Sequence, residues 1–144
     1  MDSNRPSDAN RNVAVVQEMY TAFARADVDA MLAMLSPDVT WGEPDNPFNP
    51  AAGTRHGHQG FLEWLAIGRE AEEILALEPR LFLTDDEDNV AVVGFMRCLA
   101  KYTGKTYESD FVHVATLENG QIIAFQEFFD TYVAAEAFRT NPSG

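Results

Sequence analysis

Asp130 is the first residue whose position asks for a chemical reason. It follows Phe128 and Phe129 at the end of a predicted strand, where an apolar side chain would pack at lower cost. Asn119-Gly120 is the preferred pair for a tight type I′ hairpin turn, so Glu118 should face Gln121 across it. Continued without a bulge, that register sets His113 opposite Gln126, Phe111 opposite Phe128 and Ser109 opposite Asp130, all on one face. A carboxylate among Phe111, Phe128 and Trp41 loses solvation, its pKa rises, and it becomes a usable proton shuttle near neutral pH. A neighbouring protonated His113 would oppose that rise. The competing role for Asp130 is structural: it can cap the closing helix TYVAAEAF or hydrogen-bond to His113.

Glu43 is the second candidate. In the strand VTWGEP, Val39, Trp41 and Glu43 share a face by period-two counting, and as an ordinary strand-end surface acid Glu43 would need no further explanation. Arg97 reads as an exposed partner of Glu108 or Asp110, the common use of a strand Arg, and Asp110 has the opposite strand parity to His113. The TGKT turn leaves two registers open, one turning Phe95 and Arg97 to the pocket face and the other Met96 and Cys98. Phe23, Phe61, Phe95 and Phe111, with Trp41 and Trp64, can line an apolar cavity or simply fill a core. His56 and His58 lack further ligands at metal spacing, and DDED at 85–88 lacks the spaced loop of a calcium site. No metal and no cofactor is expected.

These side chains need a scaffold, and the chain is long enough to supply one. Its 144 residues, 46% hydrophobic, suit a single domain with one core. Acidic residues number 23 against 10 basic ones, and a formal net charge of -13 repels nucleic acid and anionic membranes alike. The single Cys98 excludes an internal disulfide, and no apolar run approaches a membrane span. The expectation is a cytoplasmic protein whose partner is a small apolar organic molecule.

Residues 1–12 read as a flexible leader, residues 13–138 as one domain and residues 139–144 as a flexible tail. Val13, Val16, Met19, Tyr20 and Phe23 fall at helical spacing, and the helix should end near Ala26. Asp27 can cap a second helix that stops at the SPD triplet. A Pro- and Asn-rich loop follows the first strand, and residues 57–77 read as a third helix, weakened by Gly68. Segments 79–84, 89–103, 106–117 and 121–132 read as four antiparallel strands. Helices then gather on one face of a curved antiparallel or mixed sheet, an α+β cone enclosing an apolar pocket.

In combination, YTAFARADVDAMLAMLSPDVTW, GTRHGHQGFLEWL and TGKTYESDFVHVATLENGQIIAFQEFFDT resemble the SnoaL-like branch of the nuclear transport factor two-like superfamily, from about residue 13 to 138. The resemblance implies a cystatin-like α+β roll with three N-terminal helices and a homodimer formed through the outer sheet face. It also implies polyketide cyclase or isomerase chemistry with Asp130 as general acid and base and His113 as the pocket His. Trp41, Glu43, Phe23, Phe61, Phe95, Arg97, Phe111, Gln126 and Phe128 would then contact substrate. Ketosteroid isomerases of the superfamily need two oxyanion donors, yet Met19 and Val112 stand where those donors would be. Glu43 alone matches, in the place of their base. Epoxide hydrolases need two carboxylates beside an Arg, a set that Arg97 and Asp130 only begin. The resemblance therefore implies a cofactor-free isomerase, cyclase or lyase, or a non-catalytic ligand-binding or assembly domain.

Overall fold

The computed structural model describes residues 6–140. Its elements run α1 (Pro6–Ala24), α2 (Val28–Met34), β1 (Leu35–Glu43), β2 (Gly53–His56), α3 (Gly57–Ala71), β3 (Glu72–Thr84), β4 (Asn89–Ala100), β5 (Thr106–Glu118), β6 (Gln121–Phe129) and α4 (Thr131–Phe138). The strands form one curved, open sheet in the order β2-β1-β6-β5-β4-β3. All neighbours are antiparallel except β1 and β6, which run parallel and make the sheet mixed.

Helix α1 buries Val16 and Met19 of the stripe that the sequence spacing draws, together with Ala22. It begins at Pro6, well before the predicted start, and proline suits a first helical turn because its missing N–H would have no partner there. Residues 1–5 of the expected leader and 141–144 of the expected tail lie outside the described residues. Asp27 caps α2 as expected, its carboxylate accepting the Ala30 N–H at 3.1 Å.

The third helix is shorter than its apolar pattern suggests. It stops at Ala71, and Ile74, Leu75 and Leu77 belong to the thirteen-residue strand β3. Short apolar runs fit either period, and here pairing with β4 over its whole length decides for the strand. β3 is an edge strand with register shifts between Ile74 and Ala76 and between Pro79 and Leu81, so Pro79 costs the sheet no central hydrogen bond.

Two registers place the site. Across the β4–β5 turn Cys98 faces Tyr107 and Val92 faces His113, so Met96 and Cys98 turn inward while Phe95 and Arg97 turn outward. Across the β5–β6 turn, Asn119 and Gly120 take φ of 52° and 79°, and Glu118 faces Gln121 as expected. An irregularity then falls between Thr116 and Leu117: Leu117 pairs with Ile122 but Thr116 with Ala124, leaving Ile123 as an extra residue. Beyond it every partner moves by one. His113 faces Glu127, Phe111 faces Phe129 and Val112 faces Phe128.

Candidate functional site

Helix α1, β1, α3 and the inner faces of β3 to β6 enclose a cavity of about 90 Å³. Phe23, Trp41, Phe61, Trp64, Met96 and Phe125 form much of its apolar wall. Trp41 is held by position in the sheet: β1 and β6 run parallel with Trp41 beside Phe125, and the two rings stack at 4.0 Å. Phe111, just behind the wall, stacks on His113 with ring centroids 4.1 Å apart. Gly94 makes room for that Phe ring, since a Cβ there would come within 2.4 Å of Phe111 Cζ and of the Glu78 carbonyl oxygen.

Polar groups interrupt this wall in three places. The first is a relay from α1 across β5 to β6. Tyr20 Oη lies 2.5 Å from His113 Nδ1, and His113 Nε2 lies 3.1 Å from Glu127 Oε2. The tautomer that satisfies both contacts donates Nε2–H to Glu127 and accepts the Tyr20 hydroxyl at Nδ1. Burial first, and the Glu127 charge second, raise the Tyr20 pKa, so the phenol keeps its proton. The relay is buried on both strands, with His113 6% and Glu127 7% exposed.

Glu43 is the second polar point. Trp64 Nε1 donates to its Oε1 at 2.8 Å, and Asn49 Nδ2 donates to its Oε2. Those bonds favour the carboxylate, but burial outweighs them, and with the nearby Glu127 charge pushes the Glu43 pKa up to about 8. The third point is Glu72, which accepts the Tyr107 hydroxyl at 2.6 Å and whose pKa is also raised, chiefly by burial. Two buried polar atoms have no hydrogen-bond partner within the described chain: the indole Nε1 of Trp41 and Oε1 of Glu127. One is a donor, the other an acceptor, and both residues line the cavity.

Of the residues proposed from sequence, His113, Trp41, Glu43, Phe23 and Phe61 line the cavity and Phe111 backs it. The others lie elsewhere. Phe95 sits on the outer face under the Arg80 guanidinium, 5.1 Å from its ring centroid, and Arg97 is exposed opposite Glu108. Gln126 lies over Gly42 on the far side of β6, and Phe128 is 53% exposed. Both were displaced from the inner face by the extra residue at Ile123. Asp130 is exposed and off the cavity wall; its Oδ1 accepts the Tyr132 and Val133 N–H groups and so caps α4. The expected neighbour Ser109 is present, but its hydroxyl accepts the Asp130 backbone N–H at 2.9 Å.

Glu127, Tyr20, Glu72 and Tyr107 are the site residues not singled out for it by sequence. Glu127 had a legible signal: it is the one charged residue within β6, and it sits in the alternation Phe125, Glu127, Phe129. His58 instead bonds to the Leu35 carbonyl at 2.9 Å, and no group of three or more potential metal ligands occurs among the described residues.

The profile of the SnoaL-like domain matches residues 16–125. The chain belongs to the SnoaL-like family. Among solved structures it is similar to a nuclear transport factor two-like protein of Burkholderia xenovorans LB400, at 31% identity and a TM-score of 0.82 over 91% of this chain and 98% of that one. A protein of the same fold from Burkholderia pseudomallei K96243 is 32% identical, with a TM-score of 0.82 over 90% and 98%. TerC, co-crystallised with polyporic acid, is 29% identical, with a TM-score of 0.81 over 90% and 99%. No curated protein matches this sequence. SnoaL-like membership establishes the cone-shaped fold and no single activity, so the side chains of this cavity must carry the functional argument. No helix among the described residues is long and apolar enough to cross a membrane.

Proposed function

We propose that this SnoaL-like protein binds a small apolar carbonyl compound in the cavity and acts on it as an acid–base isomerase, cyclase or lyase. The observation that carries this reading is the pair of unpartnered buried atoms, a donor at Trp41 Nε1 and an acceptor at Glu127 Oε1, on two residues of the cavity wall. Glu127 takes the proton, because its other oxygen is occupied by His113 and Oε1 is left for a ligand. His113 and Tyr20 position that carboxylate. Trp41 donates to the ligand's carbonyl oxygen as negative charge develops there. Glu43, held toward its acid form by burial, supplies a proton elsewhere on the ligand. TerC, crystallised with a small molecule, lends support to the binding step.

The test is a thermal-unfolding screen against apolar ketones, polyketide fragments, steroids, epoxides and terpenes, followed by turnover assays on the hits. At about 100-fold excess over the dissociation constant a specific ligand adds roughly 2.7 kcal/mol and raises the midpoint by several degrees. Hits that are converted by the wild type and only bound by Glu127→Gln support the reading. Hits that bind without conversion reduce it to ligand binding, and silence across all classes overturns it.

The same reading includes a homodimer through the outer sheet face, where Phe95, Val112, Val114 and Phe128 lie. Phe125 and Phe129, which the register without a bulge would turn to that face, instead line the cavity. Sedimentation at micromolar concentration should show a dimer that Phe128→Asp converts to monomer, and a monomeric wild type removes the proposal.

A further inference from the structure

A second hollow, of about 290 Å³, adjoins the cavity at the junction of α3 and β3. The two share Phe23, Glu43, Trp64, Glu72 and Ile74 as walls, so one begins where the other ends. The outer hollow is also lined by Arg69, Glu73 and Lys101, all exposed, which makes this its solvent side. It is therefore the natural approach to the inner cavity.

The two hollows share Glu43 and Glu72; the inner one adds Glu127, and the outer one adds Glu73 together with the only Lys and Arg of either lining, Arg69 and Lys101. The ionisable groups of the inner wall include three glutamates, Glu43, Glu72 and Glu127, and no Lys or Arg. The outer rim brings two of the chain's ten basic residues side by side. Lys101 Nζ donates to the Arg69 carbonyl at 2.6 Å, which fixes the ammonium against the last turn of α3. That bond uses one of its three N–H donors. Neither Arg69 nor Lys101 forms an ion pair with any carboxylate among the described residues, although Glu73 lines the same hollow. On a chain with a net charge of -13, these two adjacent cations, in no ion pair among the described residues although Glu43, Glu72 and Glu73 line the same hollow, offer donors for an anion at the cavity mouth.

We propose that the ligand is an amphiphilic anion: an apolar body in the inner cavity, joined to a carboxylate that lies at the mouth between Arg69 and Lys101. This rests on the reading that the inner cavity binds a small apolar molecule, and it fixes both the class and the direction of entry. The acidic group cannot lead, because the apolar wall would strip its water and offers no Lys or Arg to meet it. The apolar end enters first and the carboxylate stays at the rim, where guanidinium and ammonium donors meet it while it remains partly solvated.

The experiment is a comparison of matched probes, a panel of arylacetic acids and their primary amides such as 1-naphthylacetic acid and 1-naphthylacetamide. Binding is followed by quenching of the two indoles in the cavity wall, Trp41 and Trp64. The acids should bind about tenfold more tightly than the amides, the equivalent of one charge-assisted contact at a partly exposed site. Raising the salt from about 0.05 M to about 0.5 M should weaken the acids and leave the amides unchanged. The double variant Arg69→Gln with Lys101→Gln should abolish the preference while keeping amide affinity, which also reports that the variant is folded. Amides that bind as well as or better than the acids in the wild type overturn the anion proposal and leave the cavity reading standing. A preference that survives the double variant overturns the assignment to Arg69 and Lys101. Failure of every acid and every amide to bind overturns this inference, while the screen of ketones, polyketide fragments, steroids, epoxides and terpenes decides the cavity reading separately.

Discussion

Glu127 and Asp130 lie three residues apart, and their environments are opposite. Glu127 is buried, with one oxygen engaged by His113 and the other without a partner in the chain. Asp130 is exposed, with its carboxylate engaged by two backbone N–H groups at the start of α4. A capping carboxylate has its hydrogen bonds made by the fold, whereas the unengaged oxygen of Glu127 can accept a ligand's proton. In the proposed function, what separates the proton-accepting carboxylate from the capping one is its unmet hydrogen bonding under burial. Position at a strand end among phenylalanines is not enough.

The largest expected effect tests that contrast directly. Glu127→Gln should lower turnover of any identified substrate by about 10²- to 10⁴-fold, the usual worth of a positioned proton-transfer group. Asp130→Ala should leave turnover within a few-fold of the wild type. Steady-state kinetics on both variants decides, and the reverse ranking would return the catalytic role to Asp130.

A second comparison sets the inner face of the sheet against the outer one. Gly94→Ala drives a methyl into the Phe111 ring and the Glu78 carbonyl, and should cost about 1–3 kcal/mol through overpacking. Arg97→Ala on the outer face should change stability by no more than about 0.5 kcal/mol. Chemical denaturation of the two variants measures the difference, and equal effects would mean that the inner packing is loose.

Glu43 sharpens the contrast through pH. Its folded pKa of about 8 stands above the ordinary value of 4.5, so the folded state holds a proton that the unfolded chain releases. The stabilisation is fully present below about 4.5 and is lost as pH rises through about 8. The slope can reach about 1.4 kcal/mol per pH unit within that window. Denaturation midpoints across this range should fall with pH in the wild type and fall less in Glu43→Gln; identical profiles would remove Glu43 from the buried acids. The smallest effect belongs to the cap itself. Asp130→Ala should cost about 1 kcal/mol of stability, read from the same denaturation curves, as the loss of a helix N-cap does.

Much of the scaffold was legible because its signals are local. The stripe Val16, Met19, Tyr20 and Phe23 announced α1, Asp27 announced the cap of α2, and Asn119-Gly120 announced the β5–β6 turn. Strand β3 was misread in part because Ile74, Leu75 and Leu77 fit helical spacing as a continuation of α3, and only the partner strand β4 distinguishes the two. Candidate residues that follow the β6 irregularity were displaced by it, while Phe95 and Arg97 missed the cavity through the β4–β5 register. Trp41, Glu43, Phe23 and Phe61 lie outside its influence and line the cavity. Gln126, Phe128 and Asp130 follow it in the chain and lie off the cavity wall.

By itself the sequence determined the residue types, the helical stripes, the tight turns and the acidic charge, since each depends on neighbours within a few positions. Only the tertiary structure decided which carboxylate is buried. One extra residue at Ile123 reverses the parity of everything after it, because strand side chains alternate with a period of two. Pairing with β1 on one side and β5 on the other fixes where that residue goes, and both partners lie far away in the chain.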